Sequence, residues 1–328
     1  MSIQPSISVV MGVYNGGAGL RRTLDSILGQ EEANLELIVI DDGSKDDTGG
    51  VLEEYARVDN RLRVVSQPNR GLTKALVVGC RMAKGEYIAR QDAGDMSLPG
   101  RLKAQKETLD ASPEVTFVSC WTEYVGPELE ILFVRKGSGL AREPTAILGG
   151  DWRWGVVDGP THHGSVMFRK SGYTRAGGYR DPFYFGQDWD LWYRLAAIGR
   201  FQLIEQVLYR ARVEPQSISG RHRKEQRAAA ELSREALRLR IRGMPDDQIL
   251  ETVRRIGPES GAQSKKHIAK GLYFIGECLR RRGDGRAWTY LRQAVARDRL
   301  SWRAWLRLAQ MGVVGGRSRP GTQSPGRE

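Results

Sequence analysis

Cysteine is scarce in this 328-residue chain: Cys80, Cys120 and Cys278 stand far apart and in no paired motif. That spacing argues against a disulfide framework or a zinc site and predicts buried free thiols in a reducing compartment. Long apolar runs are missing too. No stretch approaches the ~20 apolar residues that a bilayer span needs. The opening Met1-Ser2-Ile3-Gln4-Pro5 has neither a basic leader nor an apolar core, so a cytoplasmic protein is expected. With 40% hydrophobic and 27% charged residues, the composition is that of an ordinary soluble chain, long enough for one large domain and an appendage.

The first 220 residues lack any excess of positive charge. They hold 26 Lys/Arg against 28 Asp/Glu, whereas residues 221–328 hold 25 against 11. The net charge of +12 therefore belongs wholly to the C-terminal third, where it is mostly Arg.

Short apolar runs alternate with helical periodicity through the N-terminal part. Strands are predicted at Ile7–Tyr14, Leu35–Ile40, Leu62–Val65 and Glu86–Ala89, with helices at 20–28, Thr48–Ala56 and Leu72–Met82 between them. A helix that Pro99 and Leu102 start and that runs to Asp110, strands at Val115–Cys120 and Ser165–Arg169, a helix over Asp188–Ile198, and strands at Phe201–Ile204 and Val207–Ala211 follow. This alternation implies βαβ crossovers and a mainly parallel sheet flanked by helices. Residues 121–161 give no clear period. Beyond Ser217-Ile218-Ser219-Gly220 the pattern is helical only, broken at Gly243-Met244-Pro245 and Gly257-Pro258. The expected organisation is an α/β domain over 1–220, a basic all-α extension over 221–314 and a disordered tail over 315–328.

Acids sit where the apolar runs end. Asp41-Asp42 closes the second run, Asp92 and Asp95 follow the fourth, and Asp188 and Asp190 open a Trp- and Leu-rich helix. Open α/β sheets bind ligands at the carboxyl ends of their strands. Carboxylates there can hold a divalent cation on a phosphate or take a proton from a hydroxyl. Blander readings stand beside these. Asp46 and Asp47 suit helix capping, Asp190 suits the dipole at a helix start, Tyr14 can be a core aromatic, and an Asp- and Gly-rich turn needs no metal.

Six stretches, in order and spacing, resemble the family 2, GT-A-fold glycosyltransferases over about two thirds of the chain. They are Ser8–Gly16, Ile40-Asp41-Asp42-Gly43-Ser44, Asn69–Thr73, Gly85–Asp95, His163–Arg169 and Gln187–Trp192. The resemblance implies a GT-A (Rossmann-like) fold and transfer of a sugar, with inversion, from a nucleotide-diphosphate-sugar that is UDP-, GDP- or dTDP-linked. It assigns Val13, Tyr14 and Asn15 to the base-binding turn and Asp41 and Asp42 to the nucleobase and ribose. Gln91, Asp92 and His163 fall near the donor. Lys74 could approach it, or could be an exposed helix lysine. Asp92 and Asp95 would hold Mg²⁺ or Mn²⁺, and Asp188 would be the general base. Three departures stand out: Gly94 where the family commonly has Asp, Gln187 where it has Glu, and Val77-Val78 where it often has Asn. Two adjacent histidines, His162 and His163, point to opposite faces of an extended segment and cannot easily share one ion.

The C-terminal third resembles one and a half tetratricopeptide-like units, with Arg interleaved among Trp288, Trp302 and Trp305. Basic helices with Trp suit an anionic membrane surface, which would place the enzyme peripherally at the cytoplasmic face with a saccharide or lipid-linked acceptor of the cell envelope. A solvated Arg-rich face is the plainer reading. A sugar-phosphate nucleotidyltransferase is the rival enzyme class, but it leaves the Asp188 helix unexplained. An inactive glycosyltransferase relative is a further possibility. A nucleic-acid-binding protein would explain the basic tail and not the acidic ligand edge.

Overall fold

Fully buried apolar strands set the architecture of the computed structural model, which describes residues 4–31, 34–137, 159–216, 222–257 and 264–315. Strands β1 (Ile7–Val13), β2 (Leu35–Asp41), β3 (Leu62–Ser66) and β4 (Tyr87–Asp92) lie parallel in the order β3-β2-β1-β4. Helices α1 (Leu20–Leu28), α2 (Thr48–Val58) and α3 (Leu72–Met82) make the crossovers. Because strand side chains alternate between faces, Ile7, Val9 and Met11 share one core with Leu20, Leu24 and Ile27 of α1. Val10, Ile38 and Ile40 share the opposite core with Ala75 and Leu76 of α3.

The sheet continues through β5 (Met96–Ser97), β6 (Val115–Val125), β7 (Ile131–Arg135), β8 (Met167–Arg169) and β9 (Arg200–Arg212). Helices α4 (Arg101–Ala111), α5 (Lys170–Arg175) and α6 (Gln187–Ala196) flank it. Among the described residues nine strands form one sheet, ordered β3-β2-β1-β4-β8-β6-β9-β5 with β7 on β6. It is more mixed than expected: β8 runs antiparallel to both β4 and β6, while β6 and β9 are parallel. The two strands expected between 201 and 211 are one. Ile204 and Val207 pair with the consecutive Cys120 and Trp121, so the exposed Glu205-Gln206 forms a bulge that breaks the sequence alternation. Part of the unassigned 121–161 stretch is the end of β6 and all of β7; residues 138–158 lie outside the described part.

Helices α7 (Arg223–Ile241), α8 (Asp247–Arg254), α9 (Lys265–Arg281), α10 (Ala287–Arg297) and α11 (Trp302–Gly315) follow. Packing divides the chain into one compact unit from the described parts of 1–125, 133–212 and 222–259, and another from 126–132, 213–221 and 260–328. The helix-only character begins near 220 as expected, yet α7 and α8 pack with the α/β unit. Gly186 lies against Ala229, the rings of Phe185 and His222 are 5.0 Å apart, and Arg180 reaches Asp246 at 2.6 Å. In the second unit, Leu272, Ile275 and Leu279 of α9 and Leu291 and Ala294 of α10 are buried in a helix pair. Gly315, where the expected tail begins, is still in α11, and the rest of that tail and the boundary expected near 220 lie outside the described residues. Cys80 and Cys120 are buried free thiols, pushed up by burial to about 12 and about 11 respectively. Among the described residues no helix is long and apolar enough to cross a membrane.

Candidate active site

Parallel register brings the acids to one edge. Gly12 of β1 stands opposite Asp92 of β4, and the next residue, Val13, stands opposite Asp41 of β2. The turns leaving β1 and β2 are laced together. The Asn15 N–H donates to Ser44 Oγ (2.9 Å), Asn15 Oδ1 accepts the Lys45 N–H (2.8 Å), and Asp41 Oδ1 accepts the Ser44 N–H (3.0 Å). Val13 is buried and Tyr14 is exposed beside this lattice. The Asp42 carboxylate accepts Gln67 Nε2 (2.7 Å) and the N–H groups of Arg70 (2.9 Å) and Gly71 (2.7 Å), fixing the loop that starts α3. Asp46 accepts the Gly17 and Thr48 N–H groups and so ties the β1 turn to the start of α2, while Asp47, the N-cap of α2, makes no side-chain cap bond, which corrects the capping expected of both. Lys74 is exposed on α3.

The end of β4 holds the densest cluster. Asp92 forms an ion pair with the buried Arg90 guanidinium through Oδ1, and its Oδ2 lies 3.6 Å from His162 Nδ1. Asp95 is buried, its Oδ2 accepting the Tyr209 hydroxyl (2.9 Å) and its Oδ1 the Arg212 N–H (2.8 Å). His162 Nδ1 is also 3.6 Å from Asp95 Oδ2. Gly94, with φ +96°, makes the turn that returns Asp95 toward Asp92 in a conformation an L side chain rarely adopts. Gln91 lies beneath this group with its amide turned into the fold: Oε1 accepts Ser97 Oγ (2.8 Å) and Arg101 Nη1 (2.9 Å).

The two carboxyls are driven apart in pKa. Burial opposes ionisation of Asp92, but the charge of the buried Arg90 guanidinium holds it down to about 2. Burial, then the Asp92 charge, push Asp95 well above the usual range. His162 is held below its usual value by burial, so its imidazole is neutral at neutral pH. Two carboxyl groups and a neutral imidazole, with ligand atoms within 4.8 Å of one another, suit a divalent cation, whose charge would favour ionisation of both acids. The nitrogen donor is softer than the all-oxygen shell that Mg²⁺ takes and admits a transition metal as well.

Asp188 sits in the first turn of α6, with Oδ1 accepting the Trp189 N–H (2.9 Å). Burial raises its pKa to about 6, and the Asp92 charge contributes to the rise. The base candidate thus feels the cluster at the end of β4. His163 takes the other direction: Nε2 is 2.8 Å from the Tyr179 hydroxyl, and its ring meets Trp192 edge-on at 6.2 Å. Burial, then Arg90, hold it well below the usual histidine value.

The sequence reading named His162 beside His163 without giving it a role, and did not single out Arg90 or Tyr209. The opposite-face argument separates the two histidines correctly, and a short 3-10 turn over His163–Ser165 ends the extended segment just after His162. His162 then stacks on Tyr209 at 5.4 Å. Gly164 is needed there because an added Cβ would overlap the Tyr209 hydroxyl and lie 3.1 Å from Asp92 Oδ2. Arg90 carries a visible signal, a charge inside an otherwise apolar strand run, which is costly unless paired.

Comparison with known proteins agrees with this geometry. The sequence profile described as Glycosyl transferase family 2 matches residues 8–172. EpsE of Bacillus subtilis, named as a glycosyltransferase, is 32% identical over 228 residues, covering 67% of this chain and 78% of its own. Among solved structures, the mannosyltransferase PcManGT from Pyrobaculum calidifontis, in complex with GDP-Man and Mn2+, aligns with TM-score 0.53 at 20% identity over 96% of this chain and 87% of its own. S. aureus TarS 1-349 in complex with UDP aligns with TM-score 0.51 at 16% identity over 96% and 93%. The match spans about half, 53%, of the longer TarS chain. These structural likenesses carry the GT-A-like fold, and the sequence matches carry the family: the chain belongs to glycosyl transferase family 2.

Proposed function

We propose that this glycosyltransferase moves a sugar from a nucleotide-diphosphate-sugar to a hydroxyl of a cell-envelope polysaccharide, glycolipid or related acceptor, with inversion at the anomeric carbon. The observation that carries the reading is the pairing of an Asp92–Asp95–His162 cluster at the end of β4 with a carboxyl at Asp188 whose pKa is pushed up to about 6. The solved relatives with UDP and with GDP-Man and Mn2+ support a donor of this class.

The residues divide the work. The laced turns at Val13-Tyr14-Asn15 and Asp41–Ser44 receive the nucleoside, with the exposed Tyr14 ring free to lie on the base. Asp92, Asp95 and His162 would hold a divalent cation, which would supply positive charge against that developing on the departing nucleotide diphosphate. Asp188 takes the proton of the acceptor hydroxyl as that oxygen attacks the face of the sugar opposite the nucleotide; one base and one displacement give inversion. His163, neutral and tied to Tyr179, lines the donor side. An acceptor carried on a lipid would bring the enzyme to the cytoplasmic face of an anionic membrane.

The test is a melting-temperature screen of UDP-, GDP- and dTDP-sugars with and without Mn²⁺. One donor class should stabilise the chain, and more strongly with the metal present. A chain stabilised by no nucleotide in either condition would overturn the reading.

A further inference from the structure

The helical unit leaves its apolar side chains outward where α10 turns into α11. Leu300 is 88% exposed, Trp302 65% and Trp305 53%. Burial in a helix pair cannot be their role, although the spacing of Trp302, Trp305 and Leu306 resembles that of helix-packing residues. The corner is ordered: Trp305 Nε1 donates to the Arg299 carbonyl (3.2 Å), and the Leu300 N–H donates to Asp298 Oδ1 (3.1 Å), which occupies the carboxylate of this segment. Arg297, Arg299 and Arg303 are exposed around it and make no ion pair among the described residues, Arg303 lying over the Trp302 ring at 5.4 Å. Beside the corner, Tyr273, Trp302, Arg303, Leu306 and Arg307 line a cleft of about 270 Å³.

From this juxtaposition we infer that the α10–α11 corner docks on a bilayer surface bearing anionic headgroups. Leu300 and the two indoles enter the interfacial layer, and the arginines and the Tyr273–Arg307 cleft engage lipid phosphates. A lone outward leucine would mean little, but Leu300 beside two exposed indoles makes an apolar patch, the kind of surface that marks an interaction site. Indole, an apolar ring with one polar N–H, is suited to the boundary between hydrocarbon and headgroup. Unpaired arginines beside such rings draw the corner to negative lipids. A nucleic acid would use the arginines and leave Leu300 unexplained. The inference rests on the reading that the enzyme works at a membrane, and not on its donor chemistry.

Flotation of the full chain with phosphatidylcholine vesicles, with and without phosphatidylglycerol, tests it. Binding to the anionic vesicles should exceed binding to the neutral ones by tenfold or more and fall with salt. The double variants L300S/W305S and R299E/R303E should each lose tenfold or more of it, with the melting temperature and its rise on adding nucleotide-sugar unchanged. Should W305S lose helix content, the single variant L300S carries the test, since that side chain is nearly free of the fold. Equal binding to both vesicles, binding that survives the variants, or stronger binding to a duplex DNA oligomer would overturn the inference. A chain that ignores vesicles but is still stabilised by nucleotide-sugar sinks the docking corner and leaves the donor reading standing.

Discussion

Asp188 has a carboxyl pushed up to about 6, chiefly by burial, and this fixes the sign of its pH dependence. The base form exists above that value, so turnover should climb tenfold per pH unit below about pH 6 and level off above it. Asp188→Asn should lower turnover by roughly 10²–10⁴ and remove that limb, while nucleotide-sugar still raises the melting temperature; retained turnover would remove Asp188 as the base. Folding responds in the opposite sense. A folded pKa above the unfolded one means stability is fully present below about pH 4 and lost as pH rises through 6. The Asn variant should therefore be the more stable protein at pH 8, by up to about 2–3 kcal/mol. The histidines give a second contrast at this scale. His162→Ala should raise the Mn²⁺ concentration for half-maximal turnover by at least roughly ten- to a hundredfold, the range lost with an outer-shell partner. His163→Ala, which loses a bond to Tyr179, should leave that requirement nearly unchanged. Free Mn²⁺ followed by electron paramagnetic resonance separates the two.

At the scale of elements, α6 matters because it carries Asp188, and a buried charge network holds it. Asp190 accepts from Arg180 and from Arg194, and Arg180 continues to Asp246, which also takes Arg240 at 2.9 Å. Reading Asp190 from sequence as a dipole-stabilised acid at a helix start gave its place and missed the network: Arg194 is one helical turn on, but Arg180 lies 10 residues back, and Asp246, reached through Arg180, 56 residues on. Asp190→Ala would leave Arg180 and Arg194 without that shared carboxylate and should cost about 3–5 kcal/mol, read as a lower denaturant midpoint. If unchanged, the network holds nothing. The same distinction explains what else was legible. Continuous apolar runs and the acids closing them are local signals, so β1, β2, α3 and the edge positions of Asp41 and Asp92 could be read directly. The insertion of β8, the bulge in β9 and the meeting of His162 with Asp95 depend on pairing between distant segments, which no local period encodes.

For the whole molecule, the question is where the catalytic unit ends. Composition changes at 220, because that is where helices replace strands and arginine begins to accumulate. Packing puts the end some forty residues later, because α7 and the N-cap residues of α7 and α8 supply Ala229 against Gly186, His222 against Phe185 and Asp246 against Arg180. These contacts cover the loop that leads into the Asp188 helix. A chain ending at 257 should therefore unfold cooperatively and still gain stability from nucleotide-sugar, while losing the vesicle binding that belongs to α10 and α11. A chain ending at 221 removes Asp246 and strips the cover from Phe185 and Gly186. It should aggregate or melt without a sharp transition, and give no nucleotide response. If the shorter chain instead melted sharply and responded to nucleotide, α7 and α8 would belong functionally with the basic extension, and the charge network would be incidental to the base.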